Sequence, residues 1–162
     1  MKIEISNRQS RARVNRRKLR SLARLLMDRS AGPEAAEAWG GLSLLLTDDS
    51  GIRQINRRHL ARDAETDVLC FRYGPLPGEG HRSTGEIVLN VERALREGRR
   101  RAGWSASREL ALYLAHGCDH LAGADDATPA ARARMRRREL RWLGADTECA
   151  VLTDLLIGTG EA

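Results

Sequence analysis

The segment His-Gly-Cys-Asp-His-Leu-Ala-Gly-Ala-Asp-Asp, which begins at His116, constrains the fold more than any other part of the chain. An α-helix turns about 100° per residue, so His116 and His120 lie about 40° apart on one face, one turn from each other. Two imidazoles at that separation can bind one metal ion. Gly123 suits the left-handed position just after a helix end, and a chain that turns there can bring Asp125 or Asp126 back towards the histidines. We therefore predict a single metal ion at the end of a helix.

The apolar residues of this helix fall on a neighbouring face. With His116 at 0°, Leu110, Leu114 and Leu121 lie between about 100° and 160°. The histidines therefore lie at the margin of the predicted core, where an open cleft can form. Gly117 costs about 1 kcal/mol relative to alanine in mid-helix, which indicates the close approach of another backbone or of a substrate.

Asp119 projects on the other side of the histidine pair, at about −60°. Three interpretations of this residue stay open. It orients a ligand imidazole as a hydrogen-bond acceptor, it acts as a base, or it is a solvated helix residue.

Length and composition predict one globular domain with its own core. The chain has 162 residues, of which 41% are hydrophobic and 31% charged, a balance unlike that of disordered chains. No segment approaches the roughly 20 apolar residues that cross a bilayer, and the first residues lack the apolar region of a signal peptide. We expect a cytoplasmic protein without a membrane partner, whose three cysteines are reduced thiols.

The charge of the chain places nucleic acid among the expected partners. The net charge is +6, and Lys2 and Lys18 are the only lysines, so nearly all basic residues are arginine. Arginine binds phosphate through two parallel hydrogen bonds. A solvated surface rich in arginine is the alternative interpretation. Because aromatic residues make up only 4% of the chain, base stacking would contribute little, and binding would depend on backbone charge.

Hydrophobic periodicity predicts an α/β (α+β) single domain, in which a mixed sheet of about four strands packs with about five helices. Ser105 is expected to cap the helix with the histidines, and Thr128 the one after it. Residues 147–157 fit either a short helix or a strand. The predicted strands cover 2–6, 42–46, 66–71 and 84–90, and the predicted helices cover 16–29, 49–60, the segment from 91 to before Gly103, the segment after Ser105, and 129–142.

Three ordered motifs resemble the YbeY family, which are bacterial metal-dependent endoribonucleases that act in ribosomal RNA maturation. The segment from His116 to Asp126 aligns without a gap to the family pattern His-Gly-x-Leu-His-Leu-x-Gly-Tyr-Asp-His. The strand that begins Thr66-Asp67 resembles Thr-Asp-Val-Leu-Ser-Phe, and Gly85-Glu86-Ile87-Val88 resembles Gly-Asp-Ile-Val. The resemblance covers residues 42–142.

This resemblance implies one zinc ion on three ligands, cleavage of RNA phosphodiester bonds during processing of small-subunit ribosomal RNA, and a role in ribosome quality control. His116 and His120 match the first two ligands, and the third histidine of the family falls on Asp126, with Asp125 as the fallback. Aspartate can bind zinc at about 2.0–2.2 Å, but its charge makes the metal a weaker Lewis acid and favours harder ions.

The resemblance also suggests residues that act on the substrate. We expect His116, His120 and Asp119 in catalysis, and Thr66, Asp67 and Arg58 in substrate binding. The family often has an arginine, associated with activity, at the position of Leu60, and Arg57, Arg58 and Arg62 are the nearby arginines. Attack on the phosphorus by water and by the substrate's 2′-hydroxyl both stay open.

Two other functions compete with an RNA nuclease. A metal-dependent peptide hydrolase would need a glutamate directly after His116, where this chain has Gly117. A non-catalytic ribosome-assembly factor stays open because of the two departures at Leu60 and Asp126. We expect RNA, and neither DNA nor membrane, as the partner.

Overall fold

The computed structural model describes residues 1–75, 81–144 and 152–157, with the backbone alone at 33–36. No helix within these ranges is long and apolar enough to span a bilayer. Gly32 interrupts the first helix, with φ 72° and ψ 166°, where the sequence predicts its end. The regular elements are, in chain order, β1 (Lys2–Asn7), β2 (Arg13–Val14), α1 (Arg16–Ala35), β3 (Trp39–Thr47), α2 (Asp49–Leu60), β4 (Val68–Tyr73), β5 (Ser83–Asn90), α3 (Val91–Arg99), α4 (Ala106–Leu121), α5 (Pro129–Gly144) and β6 (Leu156–Ile157).

Four strands form one mixed sheet in the order β1-β3-β5-β4. β1, β3 and β5 run parallel, and β4 pairs antiparallel with β5 at one edge. The central strand β3 contributes Leu42, Leu44 and Leu46, each at most 2% exposed, as expected of parallel strands covered by helices. The predicted fold class, a mixed four-stranded sheet with five helices, is confirmed.

A second, two-stranded sheet was not predicted. β2 and β6 pair antiparallel, with Arg13 opposite Ile157 and Val14 opposite Leu156. The amide of Leu156 also donates to Ser107 Oγ at 3.0 Å, which ties this ribbon to the start of α4. Of the segment left open between helix and strand, Leu156–Ile157 is therefore a strand, whereas 147–151 lies outside the described residues.

α4 is the central helix of the domain. It packs against α1, α3 and α5 and against strands β4 and β5, and twelve of its sixteen residues are buried. The predicted caps are confirmed: Ser105 Oγ accepts from the amide of Arg108 at 3.1 Å, and Thr128 Oγ1 accepts from the amide of Ala131 at 3.1 Å. Both helices that surround the site therefore begin where the sequence predicts.

Gly117 lies where α4 crosses the sheet. A Cβ atom at this position would lie 2.9 Å from Cγ2 of Ile87 in β5, closer than side chains normally pack. The close approach that the sequence predicts is therefore real, but a strand side chain makes it, and not another backbone or a substrate. Glycine lets the histidine-bearing helix lie directly on the sheet.

We expect Gly117→Ala to lower the free energy of unfolding by about 1–3 kcal/mol, because overpacking at Ile87 outweighs the higher helix propensity of alanine. Urea unfolding followed by circular dichroism measures the change. Gly144→Ala is the matched control, since nothing lies within 4 Å of a Cβ there; it should be neutral or slightly stabilising. Equal stability of Gly117→Ala and the natural chain would contradict this account of the packing.

Candidate functional site

The two histidines of α4 face each other at the margin of the core. Each side chain is 25% exposed. The Nε2 atoms of His116 and His120 lie 3.0 Å apart, and the rings stand nearly perpendicular at 82°. The predicted placement, one turn apart on one face beside the core, is confirmed.

Asp126 returns to this pair through a turn at Gly123. Gly123 has φ 100°, and its amide donates to the carbonyl of His120 at 2.9 Å. The Asp126 carboxylate then lies 3.9 Å from the Nε2 atom of each histidine, and one ligand atom from each of the three residues lies within 4.8 Å of the others. Asp125 stands apart, because it is exposed and its Oδ1 accepts from the amide of Ala127 at 2.9 Å.

Both histidines are held through their outer nitrogens. His116 Nδ1 lies 2.6 Å from Oε1 of Glu139 in α5, and His120 Nδ1 lies 3.0 Å from the carbonyl oxygen of Ala124. Burial lowers the pKa of His116, but the hydrogen bond and the charge of Glu139 outweigh burial, so the pKa of His116 is raised above 6.5. Such outer hydrogen bonds fix the ring orientation of metal-binding histidines and raise their basicity.

These contacts determine where the lone pairs of the histidines point. When each Nδ1 donates its proton outward, both Nε2 atoms present lone pairs to each other at 3.0 Å and to the nearby Asp126 carboxylate. These two lone pairs and the carboxylate repel one another unless a cation lies between them. Two imidazoles and one carboxylate also form a ligand set found in catalytic zinc sites, where one position stays open. The donors therefore fit a divalent ion.

Glu139 is the residue of this site that the sequence analysis missed. Its side chain is 1% exposed and lies on the buried face of α5 with Ala131, Met135 and Leu143. A carboxylate on an apolar face at four-residue spacing signals a buried partner. The sequence contained that signal, but the partner lies 23 residues earlier, beyond any helical spacing.

Two of the three roles considered for Asp119 do not match the structure. Its carboxylate is 4% exposed and pairs with Arg138 of α5 at 2.6 Å, with a further contact at 3.1 Å from Arg138 Nε. Burial raises the pKa of Asp119, and the guanidinium opposes that shift without cancelling it. Asp119 is thus neither a solvated residue nor the acceptor for a ligand imidazole, a role that Glu139 fills for His116. It also does not line the cleft described next.

A cleft of about 720 Å³ opens in front of the histidines and Asp126. Thr66 and Asp67 line it, as predicted. The Asp67 carboxylate accepts from Thr66 Oγ1 at 3.0 Å and from the amide of Val68 at 2.9 Å. This local turn explains why β4 begins at Val68 and not at Thr66.

The arginine predicted to bind substrate is not the one at the cleft. Arg58 is exposed and is absent from the lining, whereas Arg62 lines the cleft on one side and Arg132 and Arg136 of α5 on the other. Leu60, where the family often has an arginine, is 46% exposed at the same rim. The positive charge of the cleft thus comes from Arg62, one of the three nearby arginines considered from the sequence, and from two arginines of α5.

The family model described as Endoribonuclease YbeY matches residues 4–145 of the chain. This chain belongs to the endoribonuclease YbeY family. A YbeY endoribonuclease of Anaeromyxobacter sp. (strain Fw109-5) is 43% identical over 124 residues, which are 74% of this chain and 62% of the relative. That of Moorella thermoacetica is 36% identical over 148 residues, which are 86% of this chain and 93% of the relative.

A solved structure shares the YbeY-family fold of this chain. The solution structure of TM1509 from Thermotoga maritima superposes with a TM-score of 0.53 at 21% identity, covering 87% of this chain and 86% of that one. The family match includes all residues of the site, from Thr66 to Glu139. Residues 116–126 differ from the motif that they resemble at Asp119, Ala124 and Asp126, the last of which is the third candidate ligand.

We expect Glu139→Gln to weaken metal binding about 10-fold and Glu139→Ala up to about 100-fold, because the first removes the charge behind His116 and the second also removes the acceptor. Titration of the metal-free protein with Zn²⁺, against a chelator of known affinity, measures both. Glu97→Gln is the matched control, since Glu97 pairs with Arg100 away from the cleft. Equal affinity of all four proteins would show that Glu139 does not support the site.

We expect loss of one partner of the Asp119–Arg138 pair to destabilise the protein more than loss of both. Arg138→Leu leaves a buried carboxylate unpaired and should cost on the order of 3 kcal/mol of unfolding free energy. The double variant Asp119→Leu/Arg138→Leu replaces the pair with apolar side chains and should recover most of that loss. Denaturant unfolding measures the stability of both variants. RNA cleavage by the double variant tests the catalytic prediction for Asp119: full loss of activity in a folded double variant would support a role of Asp119 in the reaction.

Proposed function

We propose that this protein is a metal-dependent endoribonuclease that holds one zinc ion on His116, His120 and Asp126. One observation carries the proposal: the two Nε2 atoms and the carboxylate converge on one point at the wall of a cleft that arginines line from two sides. A divalent cation fits that point, and a polyanionic substrate fits that cleft. The name of the family and of the relatives agrees with this chemistry.

Two groups of residues would act in the site, one in metal binding and the other in phosphate binding. A bound zinc ion would supply an acidified water and a Lewis acid for the phosphoryl oxygen. Glu139 and the carbonyl of Ala124 keep both imidazoles oriented. Arg62 and Arg136 have no ion-pair partner in the ranges that the structure describes, so both guanidiniums are available to bind phosphate oxygens.

Asp126 gives this site a different charge from a site with three histidines. Arg132 offsets part of it, since its guanidinium lies 3.9 Å from the Asp126 carboxylate and also donates to the Asp126 carbonyl at 3.3 Å. An anionic ligand lowers the Lewis acidity of the metal. We expect a slower chemical step, or a harder metal, than a three-histidine set would give.

The finer parts of the proposal rest on the family resemblance. They are zinc as the native ion, small-subunit ribosomal RNA as the substrate, and ribosome maturation and quality control as the process. The cytoplasm stays the expected location. Products distinguish the two nucleophiles: attack by the substrate's 2′-hydroxyl leaves a cyclic phosphate on the RNA, whereas attack by water leaves a linear phosphate. Analysis of the RNA ends by mass spectrometry separates them.

We expect His116→Ala and Asp126→Ala to lose metal binding and RNA cleavage by about 100-fold or more, since a lost ligand costs more than a lost supporting contact. Asp126→His should keep both, because a third imidazole suits zinc. His81→Ala and Asp125→Asn are the matched controls, since neither residue belongs to the cluster. Metal content by mass spectrometry and cleavage of a labelled RNA measure the outcomes.

The same preparations separate the competing functions. Casein is assayed beside RNA, and the His116→Ala protein, purified identically, controls for contaminating ribonucleases. Cleavage of casein and not RNA would favour the peptide hydrolase. If the natural chain purifies without metal, or if the His116→Ala variant keeps its full nuclease activity, the catalytic proposal is wrong. The non-catalytic assembly factor is then the remaining function.

A further inference from the structure

The outward face of α5 carries a stripe of three arginines. With Arg134 at 0°, Arg137 lies at −60° and Arg141 at −20°, so the three fall within about 60° on the helix. All three are exposed, and the buried residues Ala131, Met135, Glu139 and Leu143 occupy the nearly opposite sector. We call Arg134, Arg137 and Arg141 the outer stripe.

The outer stripe has no charge partner in the part of the chain that the structure describes. Two of the other three arginines of α5 differ: Arg138 pairs with Asp119, and Arg132 contacts Asp126. The third, Arg136, lines the cleft. Glu139, the one acidic residue of α5, is buried against His116. The stripe therefore presents three uncompensated charges over about 10 Å of helix axis.

The stripe is continuous with the cleft around one helix. Arg136 lines the cleft, and Arg137, the next residue, lies 100° further round. Between these two directions lie Ala133, which is exposed, and Leu140, which is partly buried against the core, so no exposed bulky side chain separates them. A strand bound in the cleft can therefore cross α5 and meet the stripe.

The chemistry of this face favours a nucleic acid over a protein. Protein interfaces have an apolar or aromatic centre, and no large apolar side chain of α5 is among the exposed ones in the described ranges. Phosphate recognition needs no such centre, and guanidinium forks bind phosphate oxygens in pairs. Contacts of this kind hold a strand without reading its bases.

We propose that the outer stripe is a secondary binding site for the RNA backbone, which holds the strand as it leaves the cleft. This inference rests on the proposed endoribonuclease function. The outer stripe would affect the affinity for long RNA. It would not take part in the chemical step, which depends on the residues already described.

The test replaces Arg134, Arg137 and Arg141 together by glutamine. For single-stranded RNA of about 30 nucleotides, we expect affinity to fall about 10-fold or more, and the slope of log affinity against log salt to flatten by about 2, since each phosphate contact on a single strand contributes about 0.7. An RNA that is short enough to occupy the cleft alone should bind and be cleaved as before. For the long RNA, KM should rise while kcat stays constant.

A second triple variant controls for total charge. Three other arginines are exposed and have no ion-pair partner in the described ranges: Arg8 after β1, Arg17 in α1 and Arg99 in α3. Their replacement by glutamine removes the same charge from scattered positions. Binding is measured by fluorescence anisotropy in EDTA to prevent cleavage, and circular dichroism verifies that both variants fold.

The outcomes separate the stripe from the proposed function. Equal weakening by both triple variants, or an unchanged stripe variant, would overturn the inference. So would a stripe variant that keeps its affinity for RNA but loses affinity for a poly-glutamate peptide, which would indicate an acidic protein partner. Stripe-dependent RNA binding by a protein that cleaves no RNA would support the stripe while refuting the nuclease.

Discussion

The burial of α4 is the constraint on which the candidate site depends. Helices pack around it, the sheet lies beneath it, and the contact between Gly117 and Ile87 leaves no room for it to shift. The two histidines occupy the margin of this buried helix, so their separation and their direction follow from core packing. A metal site on a frame of this kind needs little reorganisation to bind its ion, because the core has already oriented two of its donors.

α5 supplies the contacts that hold the site residues of α4 in place. Each sector of this helix makes a different contact. The buried sector brings Glu139 to His116, one edge places Arg136 in the cleft, and the other edge pairs Arg138 with Asp119. The pair adjoins the Glu139 contact, so two polar interactions on successive residues fix α5 against α4. The orientation of the histidine therefore depends on the docking of α5 as a whole.

The parts of this structure that sequence could predict are those with local periodicity. Strand and helix order, the caps at Ser105 and Thr128, and the shared face of the histidines all follow from spacings of a few residues. Glu139 with His116 and Arg138 with Asp119 join positions 23 and 19 residues apart, and no periodicity relates two helices. The position of Arg62, and not Arg58, at the cleft could not be predicted for the same reason: which arginine reaches the cleft depends on how the chain turns after α2.

The balance of charge explains how a cleft with several carboxylates can still receive RNA. Asp126 adds a negative charge that a third histidine would not, and Glu139 lies directly behind His116. A divalent ion would neutralise these two carboxylates together. The arginines at the cleft would then be available to the substrate, apart from Arg132, which contacts Asp126. Ion binding and RNA binding are thereby coupled electrostatically: with the ion absent, the two carboxylates oppose the phosphates that Arg62 and Arg136 attract.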